Sequence, residues 1–169
     1  MSIKVTIYMH ITPNGMIARL GGGEFSSKKA RQGFLKMINK AQVNIVGRKT
    51  FEAAVKKGGF PLKGLNIIVT THKIKNKWNN VIVTDKKPRE ILKLVEKRGY
   101  KEAMVGGGGI SASFIKDNLV DEIYLNVEPV IFGKGIKVFA EKNFDKKLKL
   151  LDIERFSQNE VRLHYKILD

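Results

Sequence analysis

A change of rhythm late in the chain limits its fold more than any single motif. From Ile3 to Asn118 short apolar runs alternate with stretches of helical period, whereas from Glu122 onward the apolar runs follow one another with no helix between them. A strand, a helix and a further strand make a crossover, and crossovers build parallel sheets covered on both faces. Strands joined without a helix pair antiparallel. The expectation is an α/β fold in one domain over residues 1–169, with a mostly parallel central sheet flanked by helices and an antiparallel C-terminal edge.

Individual elements follow from period and punctuation. Ile3, Val5, Ile7, Met9 and Ile11 alternate onto one face of a first strand. Pro13-Asn14-Gly15 and Gly21-Gly22-Gly23 make residues 12–25 a loop, after which Ser26 or Ser27 caps a helix with Ala30, Phe34, Met37 and Ile38 on its apolar side. Strands are expected at 43–46, 66–70, 81–83, 102–105, 122–127, 148–154 and 161–167, and helices at 87–97 and 111–118.

Composition removes several classes of function. With no cysteine there are no disulfides, thiolate nucleophiles or thiolate-bound metals, and the few histidines give no metal site. No apolar run approaches the roughly 18–20 residues of a membrane helix, and Met1-Ser2-Ile3-Lys4-Val5 is unlike a signal peptide, so a cytoplasmic protein is expected. The net charge of +16 draws phosphates of any kind. Of the 32 basic residues, however, 25 are lysines scattered along the chain, with no helix-turn-helix, zinc-finger or aromatic-and-basic signature, which disfavours nucleic acid as the main partner.

Three strand ends carry candidate chemistry. Val43 to Val46 stops at Gly47 and turns into Arg48, Lys49 and Thr50 at the start of a helix. Ala103-Met104-Val105 runs into Gly106, Gly107, Gly108 and Gly109, then Ile110 and Ser111, where missing Cβ atoms let a backbone close on a pyrophosphate. Val69 leads to Thr70, Thr71, His72 and Lys73, which with Arg48 and Lys49 could surround the 2′-phosphate that separates NADPH from NADH. Helix N-termini at the carboxyl ends of parallel strands favour anions, so the three together point to a dinucleotide.

Strand-Gly-Arg-x-Thr-aromatic-Glu, strand-Thr-Thr, and Val-Gly-Gly-Gly-Gly before a helix, in this order, resemble the dihydrofolate reductase superfamily, which includes the reductase domain of riboflavin-pathway deaminase/reductases. Leu119 to Tyr124 and Pro129 to Gly135 are similar to the riboflavin-type branch, so the likeness runs from about residue 3 to 165. The resemblance implies a dihydrofolate reductase-like fold and NADPH as cofactor. It places Ile17 and Ala18 against the nicotinamide, Arg48, Lys49, Thr50, Thr71 and His72 around the adenosine phosphates, and Gly106 to Ser111 along the pyrophosphate. It makes Gly15 to Gly23 a mobile loop and turns Tyr8, His10, Phe34 and Asn126 toward the substrate ring; for Phe34 the plainer reading is core.

Two positions depart from the folate pattern. The helix carboxylate that supports pterin protonation is replaced by Ala30, leaving Glu24 and Glu128 as the nearest substitute acids, and the arginine that grips the folate tail falls at Leu65 or is absent. Without that carboxylate, weak inhibition by diaminopyrimidine antifolates is expected. Against the riboflavin branch, Phe51-Glu52-Ala53-Ala54-Val55 lacks an Asp-Asp-Pro-x-Leu type motif. The order of readings is reduction of dihydrofolate or a related pterin, then reduction of a ribosylaminopyrimidine 5′-phosphate, then a non-enzymatic basic phosphate or nucleic-acid binder. The expected partners are a small pterin or pyrimidine and a second copy of the chain, with no membrane.

Overall fold

The computed structural model describes residues 3–168; the ends of the expected 1–169 domain, Met1, Ser2 and Asp169, lie outside them. In chain order the elements are β1 (Lys4–Ile11), β2 (Met16–Arg19), α1 (Lys28–Lys40), β3 (Val43–Gly47), α2 (Arg48–Lys56), β4 (Leu65–Val69), β5 (Val81–Thr84), α3 (Pro88–Lys97), β6 (Glu102–Gly106), α4 (Gly108–Lys116), β7 (Glu122–Val127), β8 (Gly135–Lys137), β9 (Leu148–Arg155) and β10 (Val161–Ile167). Eight strands make one sheet in the order β5-β4-β3-β6-β1-β7-β10-β9. From β5 to β7 all neighbours are parallel, and β10 and β9 add the antiparallel edge that the helix-free tail predicts.

Alternation in β1 explains how the sheet is clothed. Val5, Ile7, Met9 and Ile11 enter the main core with Ile45, Ile67, Ile91, Val95, Val105, Phe114 and Ile123. Tyr8, on the opposite face, packs under α1 with Ile38, Ala41 and Met104. Burial of each such large side chain contributes about 1.5–3 kcal/mol. The α1 cap is Ser27 and not Ser26, its hydroxyl accepting from the Ala30 N–H at 3.1 Å. Pro88 opens α3, where the Glu90 carboxylate accepts from the Lys87 N–H at 3.1 Å. Among the described residues no helix is long and apolar enough to cross a membrane.

Three boundaries differ from the sequence expectation. The expected loop at 12–25 contains β2, which pairs antiparallel with β8 as a separate two-stranded ribbon, Ala18 facing Ile136. Helix α4 begins at Gly108 and not at Ser111, because Gly108 and Gly109 already belong to its first turn. Leu65, aligned with the folate-tail arginine, is a buried residue of β4 and joins the main core.

Candidate functional site

The chain leaves β1, lays down β3, β4 and β5 outward, and returns through β6 into the gap between β3 and β1. A reversal of this kind opens a crevice at the carboxyl ends of the strands. Register sets those ends side by side: Val46 lies against Gly106, Gly47 against Val69, and Ile11 against Val127. The residues singled out at the three strand ends therefore share one edge of one sheet.

Two helices open onto that edge uncapped. α2 starts from Gly47 and α4 from Gly107, and neither has a side-chain cap bond or an acidic residue in its first turn. Their first N–H groups have no intrahelical acceptor and carry the positive ends of the helix dipoles. The two starts also touch. A Cβ on Gly107, whose φ is +90°, would stand 2.7 Å from Thr50 Oγ1, and one on Gly47 would meet Ile110 Cγ1 at 3.2 Å. Gly108 is closed by the protein itself, since a Cβ there would lie 2.4 Å from the Lys137 carbonyl oxygen, whereas Gly109 is exposed with nothing within 4 Å. The glycine run thus divides its labour, with packing at Gly107 and Gly108 and open backbone at Gly109. Val105 is a correction: its side chain lies wholly in the core and presents nothing to the crevice.

The β2–β8 ribbon lies along the start of α4. The Ala140 N–H donates to the Gly108 carbonyl at 3.1 Å and the Val138 N–H to the Gly15 carbonyl at 2.8 Å. This fixes the half-buried Ile17 and Ala18 beside the helix start. Much of the expected mobile loop is therefore a paired strand, and Leu20 to Glu24 is its exposed part. On the far side Lys49, Thr50, Thr71 and His72 are exposed, Thr70 Oγ1 accepts from the His72 N–H at 3.0 Å, and Arg48 Nη1 donates to Glu52 at 2.8 Å. Ser111 is completely buried, and its Oγ has no partner.

A second wall faces α1. Across adjacent strands His10, Asn126 and Arg162 stand in one row. The Tyr8 hydroxyl accepts from Asn126 Nδ2 at 2.9 Å and from Arg162 Nη1 at 3.2 Å. Phe34 reaches across from α1, its ring centroid 5.2 Å from both Tyr8 and His10. The four residues expected at the substrate ring are thus brought together. Sequence reasoning missed Arg162, which also pairs with Glu154 and lies over Phe156.

Glu128 follows β7 directly and is 1% exposed. Its Oε1 lies 2.7 Å from His10 Nδ1, and its Oε2 accepts from the Ser27 N–H at 3.1 Å, one turn from Ala30. Burial holds the His10 imidazole below its ordinary pKa, with Glu128 pulling against it. Glu160, also buried, is held below the usual carboxylate range by the hydroxyls of Ser27 and Ser157. Glu24 is a different kind of acid, exposed and ion-paired with Arg31 and Lys57, which corrects its place as a substitute for the missing helix carboxylate.

The chain is similar to several known proteins in sequence and in fold. YwjB of Bacillus subtilis (strain 168) is 27% identical over 173 residues, covering 98% of both chains, and YyaP of the same organism is 24% identical over 176 residues, covering 96% of this chain and 94% of its own. A candidate riboflavin biosynthesis protein from Shewanella sp. PV-4 superposes with a TM-score of 0.87 at 16% identity, over 99% of this chain and all of that one. The diaminohydroxyphosphoribosylaminopyrimidine deaminase/5-amino-6-(5-phosphoribosylamino)uracil reductase of Thermotoga maritima gives 0.80 at 21% identity, over 99% of this chain and 57% of that longer one. These superpositions speak for the fold. The model of the RibD C-terminal domain matches residues 3–161, and the chain belongs to that family.

Proposed function

We propose that this protein is an NADPH-dependent reductase of the riboflavin-pathway type, acting in the cytoplasm on a ribosylaminopyrimidine 5′-phosphate. Family membership supports the pyrimidine reading over the folate one and reverses the order given by the isolated motifs. The observation that carries the cofactor is the pair of uncapped helix starts abutting at Gly47 and Gly107, with Gly109 open beside them. Together they can meet two separated phosphate groups with backbone donors and no opposing carboxylate in either first turn.

When bound, NADPH supplies the hydride. The chain would hold it along one edge: Gly109, Ile110 and the start of α4 at the pyrophosphate, Arg48, Lys49, Thr50, Thr71 and His72 around the adenosine phosphates, and Ile17 and Ala18 beside the nicotinamide. Tyr8, Asn126 and Phe34 then orient the substrate ring from the opposite wall, while Leu20 to Glu24 covers the crevice and limits water.

Reduction of a pterin is the second reading, favoured by Phe51-Glu52-Ala53-Ala54-Val55, where the riboflavin branch carries its acidic proline motif. One experiment separates the two. With NADPH and the ribosylaminopyrimidine phosphate in one cuvette and NADPH and dihydrofolate in another, nicotinamide absorbance is expected to fall in the first. A fall only in the second reverses the assignment, and no fall in either removes the reductase reading.

A further inference from the structure

The crevice needs a proton as well as a hydride, and the residues that line it differ in their ability to give one. Glu128 is badly placed to be the donor, because both of its oxygens are committed, Oε1 to His10 Nδ1 at 2.7 Å and Oε2 to the Ser27 N–H at 3.1 Å. A side-chain hydrogen bond between Glu128 and the neighbouring Glu160 engages the carboxyl further, so a proton held there is shared between the two acids and not free to hand on. Tyr8 is likewise engaged by Asn126 and Arg162. Among the described residues four buried polar atoms have no hydrogen-bond partner, His10 Nε2, Asn66 Oδ1, Ser111 Oγ and Glu160 Oε1. An amide and a hydroxyl are poor acids and Glu160 is held toward its ionised form, which leaves the imidazole nitrogen. A carboxylate accepting from Nδ1–H fixes the tautomer of an imidazole and leaves Nε2 as its working nitrogen. His10 stands near the end of β1, beside Asn126 in the register, on the wall that faces Phe34.

We propose that His10 is the catalytic acid of this crevice, giving its proton from Nε2 to the substrate, and that Glu128 is the positioning residue that fixes the ring. The proposal rests on the reductase reading above. In the ring-opened form of such a substrate the anomeric C–O bond has broken, its electron pair has gone to the ring oxygen, which takes the proton lost from the nitrogen, and a C=N bond remains. The hydride that NADPH would supply adds to the carbon of that bond, and the π electron pair moves onto nitrogen. That nitrogen forms a bond to the Nε2 proton, and the N–H bonding pair stays on the imidazole. The product is a secondary amine, the nicotinamide is oxidised, and the neutral ring regains a proton from water once product leaves. Phe34 stands edge-on to His10 and is half-buried.

The charged groups that bear on His10 are Glu128 after β7, Arg31 on α1 and Glu160 before β10. Burial has the largest influence and lowers the imidazole pKa from 6.5; Glu128 and Glu160 raise it, and Arg31 lowers it. The acid form is thus populated only below the ordinary histidine range. Turnover should rise as pH falls through a pKa under 6.5 and be lost above it.

The test is kcat against pH for the parent, His10→Gln and Glu128→Gln with the pyrimidine substrate, together with 15N NMR of the histidine rings in the ligand-free parent and Glu128→Gln proteins. His10→Gln keeps an amide donor toward Glu128. It is expected to lose about 100-fold or more in kcat with unchanged NADPH affinity and no pH limb. Glu128→Gln should shift the limb to lower pH and mix the His10 tautomers, which are held as Nδ1–H in the parent. A limb that survives in His10→Gln, a kcat within a few-fold of the parent, or an Nε2–H tautomer in the parent overturns the proposal. A parent that reduces neither pyrimidine nor pterin overturns the reductase reading itself, and this role with it.

Discussion

Arg48 shows how little the free protein gives up to hold an anion. Its side chain is 32% exposed, and its guanidinium rests on Glu52 one turn along α2. An exposed pair of this spacing is worth only about 0.3–0.5 kcal/mol, so the arginine is easily redirected toward a phosphate. A charged hydrogen bond to a 2′-phosphate is worth roughly 1.5–3 kcal/mol, or about 10- to 100-fold in affinity. Arg48→Ala is therefore expected to weaken NADPH by that factor and NADH by much less, read by fluorescence titration of the two cofactors. Equal losses would remove Arg48 from the 2′-phosphate. Ala30 presents the opposite case. It is completely buried one turn from the contact between Ser27 and Glu128. Restoring the folate-type carboxylate by Ala30→Asp adds an anion beside buried acids, and the cost of about 1–3 kcal/mol should lower Tm by several degrees in a thermal melt. Unchanged Tm would mean that the site has room for a carboxylate.

At the level of elements, the two glycines that open α4, Gly108 and Gly109, are separable. Gly108→Ala drives a methyl group into the Lys137 carbonyl and should loosen the ribbon or the helix start, lowering Tm with or without cofactor. Gly109→Ala meets nothing and should leave Tm unchanged while weakening NADPH, because its methyl group stands where the pyrophosphate would approach. Reversed effects, checked by melting and cofactor titration, would exchange the two roles. The long strands and the parallel-then-antiparallel order were legible in the sequence because alternation in β1, β7 and β10 is strong and each crossover needs a helix. β2 and β8 were not legible. Met16-Ile17-Ala18-Arg19 and Gly135-Ile136-Lys137 are too short to show a period, and each is a strand only because the other is there. Arg162 escaped for a related reason: its place beside Asn126 is set by the register of β10 on β7, which composition does not encode. The burial of Glu128 was equally hidden, since a carboxylate is ordinarily a surface residue, and its partners His10 and Ser27 lie far away in the chain.

For the whole molecule, the antiparallel edge leaves apolar surface uncovered. Among the described residues β9 pairs only with β10, and Leu148, Leu150, Leu151 and Ile153 are 43%, 45%, 43% and 57% exposed. Leu148, Leu150 and Ile153 stand opposite Ile167, Tyr165 and Leu163, which continues the strip onto the neighbouring strand. An unprotected edge of this kind invites a further strand or sheet, and a second copy of the chain is the expected occupant. Two copies of net charge +16 repel, so dimer formation should strengthen with added salt, opposite to association driven by ion pairs. Sedimentation equilibrium should show the dimer, and Leu150→Lys with Ile153→Lys should return a monomer of 19.1 kDa. A parent that stays monomeric at all salt concentrations would leave the strip to another partner.

Just past β8, the Val138 N–H to Gly15 carbonyl bond extends the ribbon's own pairing by one residue, and the Ala140 N–H to Gly108 carbonyl bond ties that same end to the start of α4, which makes the ribbon a strap fastened to the helix at one end. Anything that steadies the helix start must slow the opening of the strap, because neither can swing free while the other is held. In deuterated water, NADPH should therefore retard amide exchange in Gly135–Lys137, which the proposed binding mode sets against no part of the cofactor, as well as at its own binding edge. The strap would then report occupancy of a pocket whose phosphates it never touches.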